Sequence, residues 1–250
     1  MLFQDLYTHG DYLASHPTWH VEESPWKTQY ALELMARNHL APHTICEVGC
    51  GAGEILRLLQ KQLDATCQFN GYEISPQAFD MARQRANSQL TFTLGDIRDD
   101  PGKRFDLILV MDVLEHMENY FDLLRAIRPM SQYKIFHIPL DISVRSVFSG
   151  ELAKYRQMHG HIHYFTRELA LRTISDAGYD IRDWLYTKES ELKWKAEAPT
   201  WGAVMRKPWA LPPVIFKQGK HTVKKLMVQT LGDDWSERIF GEWRLMVLAR

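Results

Sequence analysis

Between Thr44 and Tyr186, short apolar, β-rich runs alternate with stretches whose apolar residues recur at helical spacing. That alternation is the pattern of a parallel sheet wound with helices on both faces. The runs predict strands at Thr44–Val48, Gln68–Tyr72, Leu90–Leu94, Phe105–Met111, Tyr133–Pro139 and Asp180–Tyr186, and a last alternating run, Glu242 to Ala249, predicts a closing strand. Ser75-Pro76 supplies an N-cap and a proline at the first helical position, so a helix is expected from Pro76 to about Ala86. Thr166 caps a second helix that ends near Gly178, where a left-handed residue is expected. The amphipathic run Trp26 to Leu40 predicts a helix ahead of the first strand.

These elements divide the chain into an N-terminal helical lid (1–42), a core (43–186), an insertion or substrate cap (187–241) and the closing strand (242–250). At 250 residues the chain is long enough to bury roughly three quarters of its unfolded surface, so one α/β domain with additions is expected. The insertion differs in composition, holding Trp194, Trp201, Trp209 and Trp235 and the run Pro208 to Pro213. It also carries Lys217, Lys220, Lys224 and Lys225, which read as a solvated face or as a contact for a phosphorylated substrate or an anionic surface.

Charge narrows the partners. Thirty basic and 31 acidic residues leave a net charge of −1, without the basic surplus of a nucleic-acid binder. Cys46, Cys50 and Cys67 are too few for a disulfide framework and fit a reducing cytoplasm, with no second Cys or His pair at zinc spacing. The start, MLFQDLYTHGDYLASH, lacks the basic and apolar regions of a signal peptide. The longest apolar stretch, Leu107 to Leu114, is interrupted by Asp112 and is far short of the ~20 residues of a membrane span. A cytoplasmic protein without stable membrane insertion is expected.

The chemistry concentrates in ICEVGCGAGEIL, Ile45 to Leu56, which sets Gly49, Gly51 and Gly53 between a strand and a helix. There a ligand can lie against bare backbone. A dinucleotide fingerprint needs glycine at position 54, which is Glu54, so the pattern is G-x-G-x-G. Glu47 would repel a pyrophosphate but suits a ligand carrying a sulfonium and an ammonium, which argues for S-adenosylmethionine (SAM) over a nicotinamide dinucleotide. Glu73, twenty residues after Gly53 at the end of the second strand, is positioned to accept hydrogen bonds from both ribose hydroxyls. Singly, each feature has a plain structural reading as a tight turn, a solvated strand end, a turn former or a helix-start acid.

With E-x-G-x-G-x-G at Glu47–Gly53, YEIS at the end of strand two, GDI at Gly95–Ile97 and FDLILVMDVLEHM from Phe105, the sequence resembles the class I SAM-dependent methyltransferases from about Ile45 to Tyr186. The phrase DVLEHM is similar to that of the small-molecule group that includes ubiquinone-biosynthesis enzymes. The resemblance implies a doubly wound, Rossmann-like, seven-stranded, mostly parallel sheet with helices on both faces and the last strand antiparallel. It implies SAM as methyl donor and S-adenosylhomocysteine (SAH) as product. It also implies a cofactor site of Glu47, Gly49, Cys50, Gly51, Gly53 and Glu73. In that site Ile74 packs on the base, Asp96 accepts from the adenine amino group, the Ile97 N–H meets the ring, and Met111 and Asp112 line the methionine end.

Methyl transfer is an in-line displacement at a carbon activated by positive sulfur, so alignment and exclusion of water are the main requirements, and a base is optional. MHGHIHYFT places His159, His161 and His163 between strand five and the next helix, with His161 and His163 on one side if extended. His161 and His163, with His116 four residues after Asp112, are the candidate catalytic residues; half-exposed strand histidines or packing on Tyr164 and Phe165 are the structural alternative. No third ligand stands near the pair in sequence, so no metal is assigned. His137, among apolar neighbours, reads as a satisfied core histidine. Tyr7, Tyr12, Trp19 and His20 of the lid are candidates for lining an acceptor pocket. Neither a D-P-P-Y-like motif after strand four nor a Pro-Cys nucleophile is present, which disfavours DNA bases and leaves a small-molecule acceptor. A nicotinamide oxidoreductase fails on Glu47 and Glu54, and a non-catalytic SAM-binding module would be separated by turnover.

Overall fold

The structure is a computed structural model that describes residues 17–188, 232–241 and 243–250. Its strands are β1 (Thr44–Val48), β2 (Gln68–Glu73), β3 (Leu90–Leu94), β4 (Phe105–Met111), β5 (Ser131–Leu140), β6 (Ile181–Lys188) and β7 (Trp243–Ala249). They form one sheet in the order β3-β2-β1-β4-β5-β7-β6, parallel from β3 to β5, with β7 antiparallel to both neighbours. This is the doubly wound architecture expected. The helices are α1 (Ser24–Arg37), α2 (Glu54–Gln60), α3 (Pro76–Ala82), α4 (Tyr120–Ile127), α5 (Val144–Ser149), α6 (Glu151–His159) and α7 (Arg167–Asp176), with α8 at 232–240.

The strand pleat divides the core in two. Ile45, Leu107, Leu109 and Ile135 pack with Ala31, Leu34 and Met35 of α1 and Leu56 and Leu59 of α2. The alternate residues Cys46, Ile108, Val110 and Phe136 pack with Leu123, Leu124 and Ile127 of α4 and Ala170 and Ile174 of α7. Successive side chains of a strand point to opposite faces, so an unbroken apolar run is what a sheet covered on both sides requires. Every strand carboxyl end from β1 to β4 then opens onto the same edge, where the site lies.

The predicted boundaries move where tertiary pairing intervenes. β5 runs past Pro139 to Leu140 because β7 pairs along it, Leu140 opposite Trp243. The helix launched by Ser75, whose hydroxyl accepts the Ala78 N–H, is α-helical only to Ala82 and then tightens into a 3₁₀ turn, Arg83–Arg85. Thr166 caps α7 by accepting the Leu169 N–H. α5 and α6 were not expected. α5 carries a reciprocal Ser143–Ser146 cap yet leaves Phe148 88% exposed, so its apolar residues mark no buried face. Tyr7, Tyr12, Trp194, Trp201, Trp209 and the four lysines from Lys217 to Lys225 lie outside the described residues. Among the described residues no helix is long and apolar enough to cross a membrane.

Candidate functional site

β1 delivers the chain into a turn whose three glycines all adopt left-handed φ, +67° at Gly49, +54° at Gly51 and +75° at Gly53. Only glycine takes such angles without steric cost. The N–H groups of Gly49 and Cys50 donate to the Tyr72 carbonyl at 2.8 and 3.0 Å, which ties the turn to β2. A Cβ at position 49 would stand 2.8 Å from Val113 Cγ2, and one at 53 would stand 2.5 Å from Phe92 Cζ. A Cβ at Gly51 would meet nothing within 4 Å, so this glycine faces an open cradle. Cys50 is buried, its sulfur filling space that the missing side chain of Gly71 leaves.

Glu73 sits beside that cradle. It is 5% exposed; its Oε2 accepts the Gly51 N–H and its Oε1 the Ser75 N–H, both at 2.8 Å. Each carboxylate oxygen keeps a second lone pair, so Glu73 braces the glycine turn and still offers acceptors to a diol. Burial outweighs the backbone donors and pushes its carboxyl above the usual range. Glu47, two residues before Gly49, is buried with no hydrogen-bond partner for Oε2 among the described residues. Burial pushes its carboxyl well up, against the pull of Lys27. A buried acid with one orphaned oxygen, beside an open, Cβ-free cradle, fits a ligand that brings hydroxyls and positive charge.

The other expected contacts are arranged less simply. Asp96 caps the turn Ile97–Asp99, and Arg98 already holds its carboxylate, with the backbone N–H on Oδ1 at 2.9 Å and Nη2 on Oδ2 at 2.6 Å. A donor such as an adenine amino group would therefore share an occupied carboxylate. The Ile97 side chain is fully buried, Ile74 is half-buried and Met111 closes β4 at 6% exposure.

Asp112 is strained, a non-glycine at φ +54° directly after β4. Three elements hold it there. Oδ2 lies 2.6 Å from Lys27 Nζ on α1 and 2.8 Å from Arg244 Nη1 on β7, while Oδ1 lies 2.7 Å from His137 Nδ1 on β5. Glu23 closes the cluster, 2.8 Å from Lys27 and 3.1 Å from Arg244. Burial alone would raise the Asp112 carboxyl, but His137, Lys27 and Arg244 together hold it well below the usual range. Burial also opposes ionisation of Glu23, and Arg244 with Lys27 overcomes it, holding that carboxyl at about 2. His137 is the satisfied core histidine expected: its Nε2 is 2.8 Å from Thr187 Oγ1, and burial keeps its pKa low despite Asp112.

Sequence reasoning named Asp112 and missed Glu23, Lys27, Thr187 and Arg244. The one legible signal was the i,i+4 spacing of Glu23 and Lys27. Arg244 comes from 132 positions away, and no local pattern announces it.

The candidate catalytic histidines part company. His163 turns to the Met117 carbonyl, donating from Nε2 at 2.8 Å, and its ring meets Tyr120 edge-on at 4.8 Å. His161 instead lies 5.0 Å from the His116 ring, with its Nδ1 2.6 Å from Asp141 Oδ2. The two histidines therefore meet different partners, and the segment between α6 and α7 is not a strand. The N–H groups of Ile162 and His163 both donate to the Glu115 carbonyl, at 2.8 and 3.2 Å, which pins it across the 3₁₀ turn Leu114–His116. His116 donates from Nδ1 to the Gly160 carbonyl at 3.2 Å, and burial, aided by His161, pushes its pKa down to about 3. Glu115, absent from the expected set, is buried between them, its carboxyl raised by burial and by Asp112 and Asp141. Trp19 and His20 are half-buried in left-handed conformations; the His20 ring is 6.5 Å from His159, itself 5.6 Å from His161. Tyr12 lies outside the described residues.

Solved structures share this fold. The plantazolicin methyltransferase BpumL in complex with SAH superposes at TM-score 0.60 with 18% identity, over 100% of this chain and 93% of that one. The N-methyltransferase NodS from Bradyrhizobium japonicum WM9, also with SAH, gives 0.54 and 16%, over 93% and 90% of the two chains. Magnesium protoporphyrin IX methyltransferase (ChlM) from Synechocystis PCC 6803 with SAH gives 0.50 and 20%, over 68% and 77%. The family described as methyltransferase domain matches residues 25–183, a stretch that runs from α1 through the glycine turn, Glu73, Asp112 and the histidine segment into β6. The chain belongs to the methyltransferase domain family.

Proposed function

We propose that this enzyme transfers a methyl group from SAM to an oxygen, nitrogen or carbon of a small-molecule acceptor and releases SAH. The observation that carries the reading is the cradle at Gly51, open where a Cβ would project and joined to Glu73 through the Gly51 N–H. Glu73 offers the ribose hydroxyls its remaining lone pairs, and Glu47 offers its orphaned oxygen to the positive methionine end. Ile74 packs on the base and the Ile97 N–H meets its ring, with Asp96 sharing its Arg98-bound carboxylate. Met111 and Asp112 bound the methionine end, and the clamp on Asp112 fixes that wall. SAM supplies an activated methyl carbon, so the protein's task is to align a nucleophile and exclude water.

A small acceptor is supported by the balanced net charge and by neighbours named for plantazolicin and magnesium protoporphyrin IX. The motif DVLEHM points the same way, towards the group that includes ubiquinone-biosynthesis enzymes. The acceptor is expected near His116 and His161, next to Asp112, with Trp19 and His20 of the lid beyond.

Calorimetric titration with SAM, SAH and NADH tests the reading. Micromolar binding of both adenosyl ligands, no binding of NADH, and at least tenfold weaker SAH binding in Glu73→Ala are expected. Failure of both adenosyl ligands to bind would overturn it.

A further inference from the structure

The sequence brings only two histidines to alternate positions and offers no third ligand beside them. The fold supplies a different trio. Glu115, His116 and His161 each present one donor atom, and these atoms all lie within 4.8 Å of one another. The Glu115 carboxylate is 1% exposed, and neither of its oxygens has a hydrogen-bond partner among the described residues. Leaving a buried carboxylate without hydrogen bonds is costly, and cores rarely tolerate it unless a ligand completes the site.

The histidines are oriented as metal ligands are. A ligating imidazole donates its other ring N–H to a carboxylate or a backbone carbonyl, which fixes the tautomer and aims the remaining nitrogen. His161 gives Nδ1 to Asp141 at 2.6 Å, and His116 gives Nδ1 to the Gly160 carbonyl at 3.2 Å. With Nδ1 given to these acceptors, Nε2 is the nitrogen that each imidazole would offer a metal, and that of His116 stands 3.8 Å from Glu115 Oε1. Donors bound about 2.0 to 2.2 Å from one ion stand roughly 3 to 3.6 Å apart, so the trio closes on an ion with a shift of about an ångström or less. The backbone holds the parts in place: Ile162 and His163 donate to the Glu115 carbonyl, and Gly160, at φ +75°, turns its carbonyl to His116.

We infer that Glu115, His116 and His161 form a binding site for a divalent first-row transition metal ion, with Asp141 and the Gly160 carbonyl orienting the two imidazoles. Two neutral imidazoles and one carboxylate suit zinc, cobalt, iron or manganese rather than calcium, which takes six to eight oxygens. Three protein ligands leave at least one position open, the arrangement of catalytic rather than closed structural sites. Use of that position by an acceptor rests on the methyltransferase reading; metal binding does not.

The test is titration of chelator-stripped protein with Co²⁺, followed by visible absorption, and with Zn²⁺ and Mn²⁺ by calorimetry, all without adenosyl ligand. One equivalent should bind with micromolar or tighter affinity for at least one ion. Glu115→Gln and His161→Ala should each weaken it a hundredfold or more, Asp141→Asn tenfold to a hundredfold, and His163→Gln less than threefold. Asp141→Asn keeps every ligand and so remains informative should the ligand variants fail to fold. The inference falls if none of the three ions binds stoichiometrically, or if Asp141→Asn and His163→Gln respond alike. SAH titration of the same samples reports the cofactor site separately: its loss with metal binding retained would overturn the methyltransferase reading alone.

Discussion

Lys27→Met puts the clamp on Asp112 to a quantitative test. Methionine keeps the apolar stem of Lys27 and removes the ammonium that lies 2.6 Å from Asp112 and 2.8 Å from Glu23. Among the described residues two carboxylates, Asp112 and Glu23, face Lys27 and Arg244, and His137 is neutral, so these groups balance. The variant leaves one uncompensated negative charge among groups whose side chains are 9 to 19% exposed. Removing one partner of a buried ion pair costs about 3 to 5 kcal/mol, against at most about 1 for an exposed pair. For a chain of this size that lowers the melting temperature by about 6 to 20 °C. Adding Glu23→Gln restores neutrality, so Glu23→Gln/Lys27→Met should be more stable than Lys27→Met alone, with a coupling of about 0.5 to 3 kcal/mol. Urea unfolding followed by both circular dichroism and tryptophan fluorescence measures all four proteins. A loss below about 1 kcal/mol for Lys27→Met, or a double variant that merely sums the singles, would refute the argument that this cluster is a desolvated, charge-balanced unit.

The same cluster sets an acid response. Glu23 is held at about 2 and Asp112 well below its usual value, so the folded state binds fewer protons than the unfolded one. Their stabilisation is complete above about pH 4.3 and is lost as pH falls towards 2, and the urea midpoint should drop through that window less steeply in Lys27→Met than in the parent. Glu237 on α8 behaves oppositely: burial, with Glu168 adding repulsion, pushes its carboxyl up to about 7. The stability present below about pH 4.3 is lost as pH rises through 7, so Glu237→Gln should raise stability at pH 8 by on the order of 1 to 3 kcal/mol and leave it nearly unchanged at pH 4. An equal effect at both values would rule this out. The glycines should separate packing from binding: Gly53→Ala meets Phe92 at 2.5 Å and should unfold more easily, whereas Gly51→Ala meets nothing, so it should cost only the left-handed strain of about 1 to 2 kcal/mol while weakening SAH binding more than tenfold. Parallel losses of stability and affinity in both would contradict the open cradle.

The sheet was legible because the inner strands carry their own evidence: two covered faces demand an apolar run, and Thr44–Val48 and Phe105–Met111 begin and end where the sequence places them, as does the alternating edge strand Leu90–Leu94. The glycine turn was legible for the same local reason, since three left-handed residues in five positions between a strand and a helix leave a mark that needs no tertiary partner. α5 was not, because its apolar residues face solvent and a cap of two serines is a weak signal.

The composition of the site was decided elsewhere. Charge at Glu47 and Glu73 could be read from the sequence, but whether Asp112 is a helix-start acid or the centre of a four-group clamp depends on α1 and β7 arriving from opposite ends of the chain. The histidines make the same point: alternate spacing grouped His161 with His163, and two backbone hydrogen bonds to Glu115 regrouped His161 with His116 and a carboxylate that spacing alone does not connect to it. Periodicity and turn chemistry are properties of neighbours in sequence, so the sequence by itself determined the sheet and the cradle. The desolvated pairings of charges and imidazoles depend on long-range packing, and only the tertiary structure decided those.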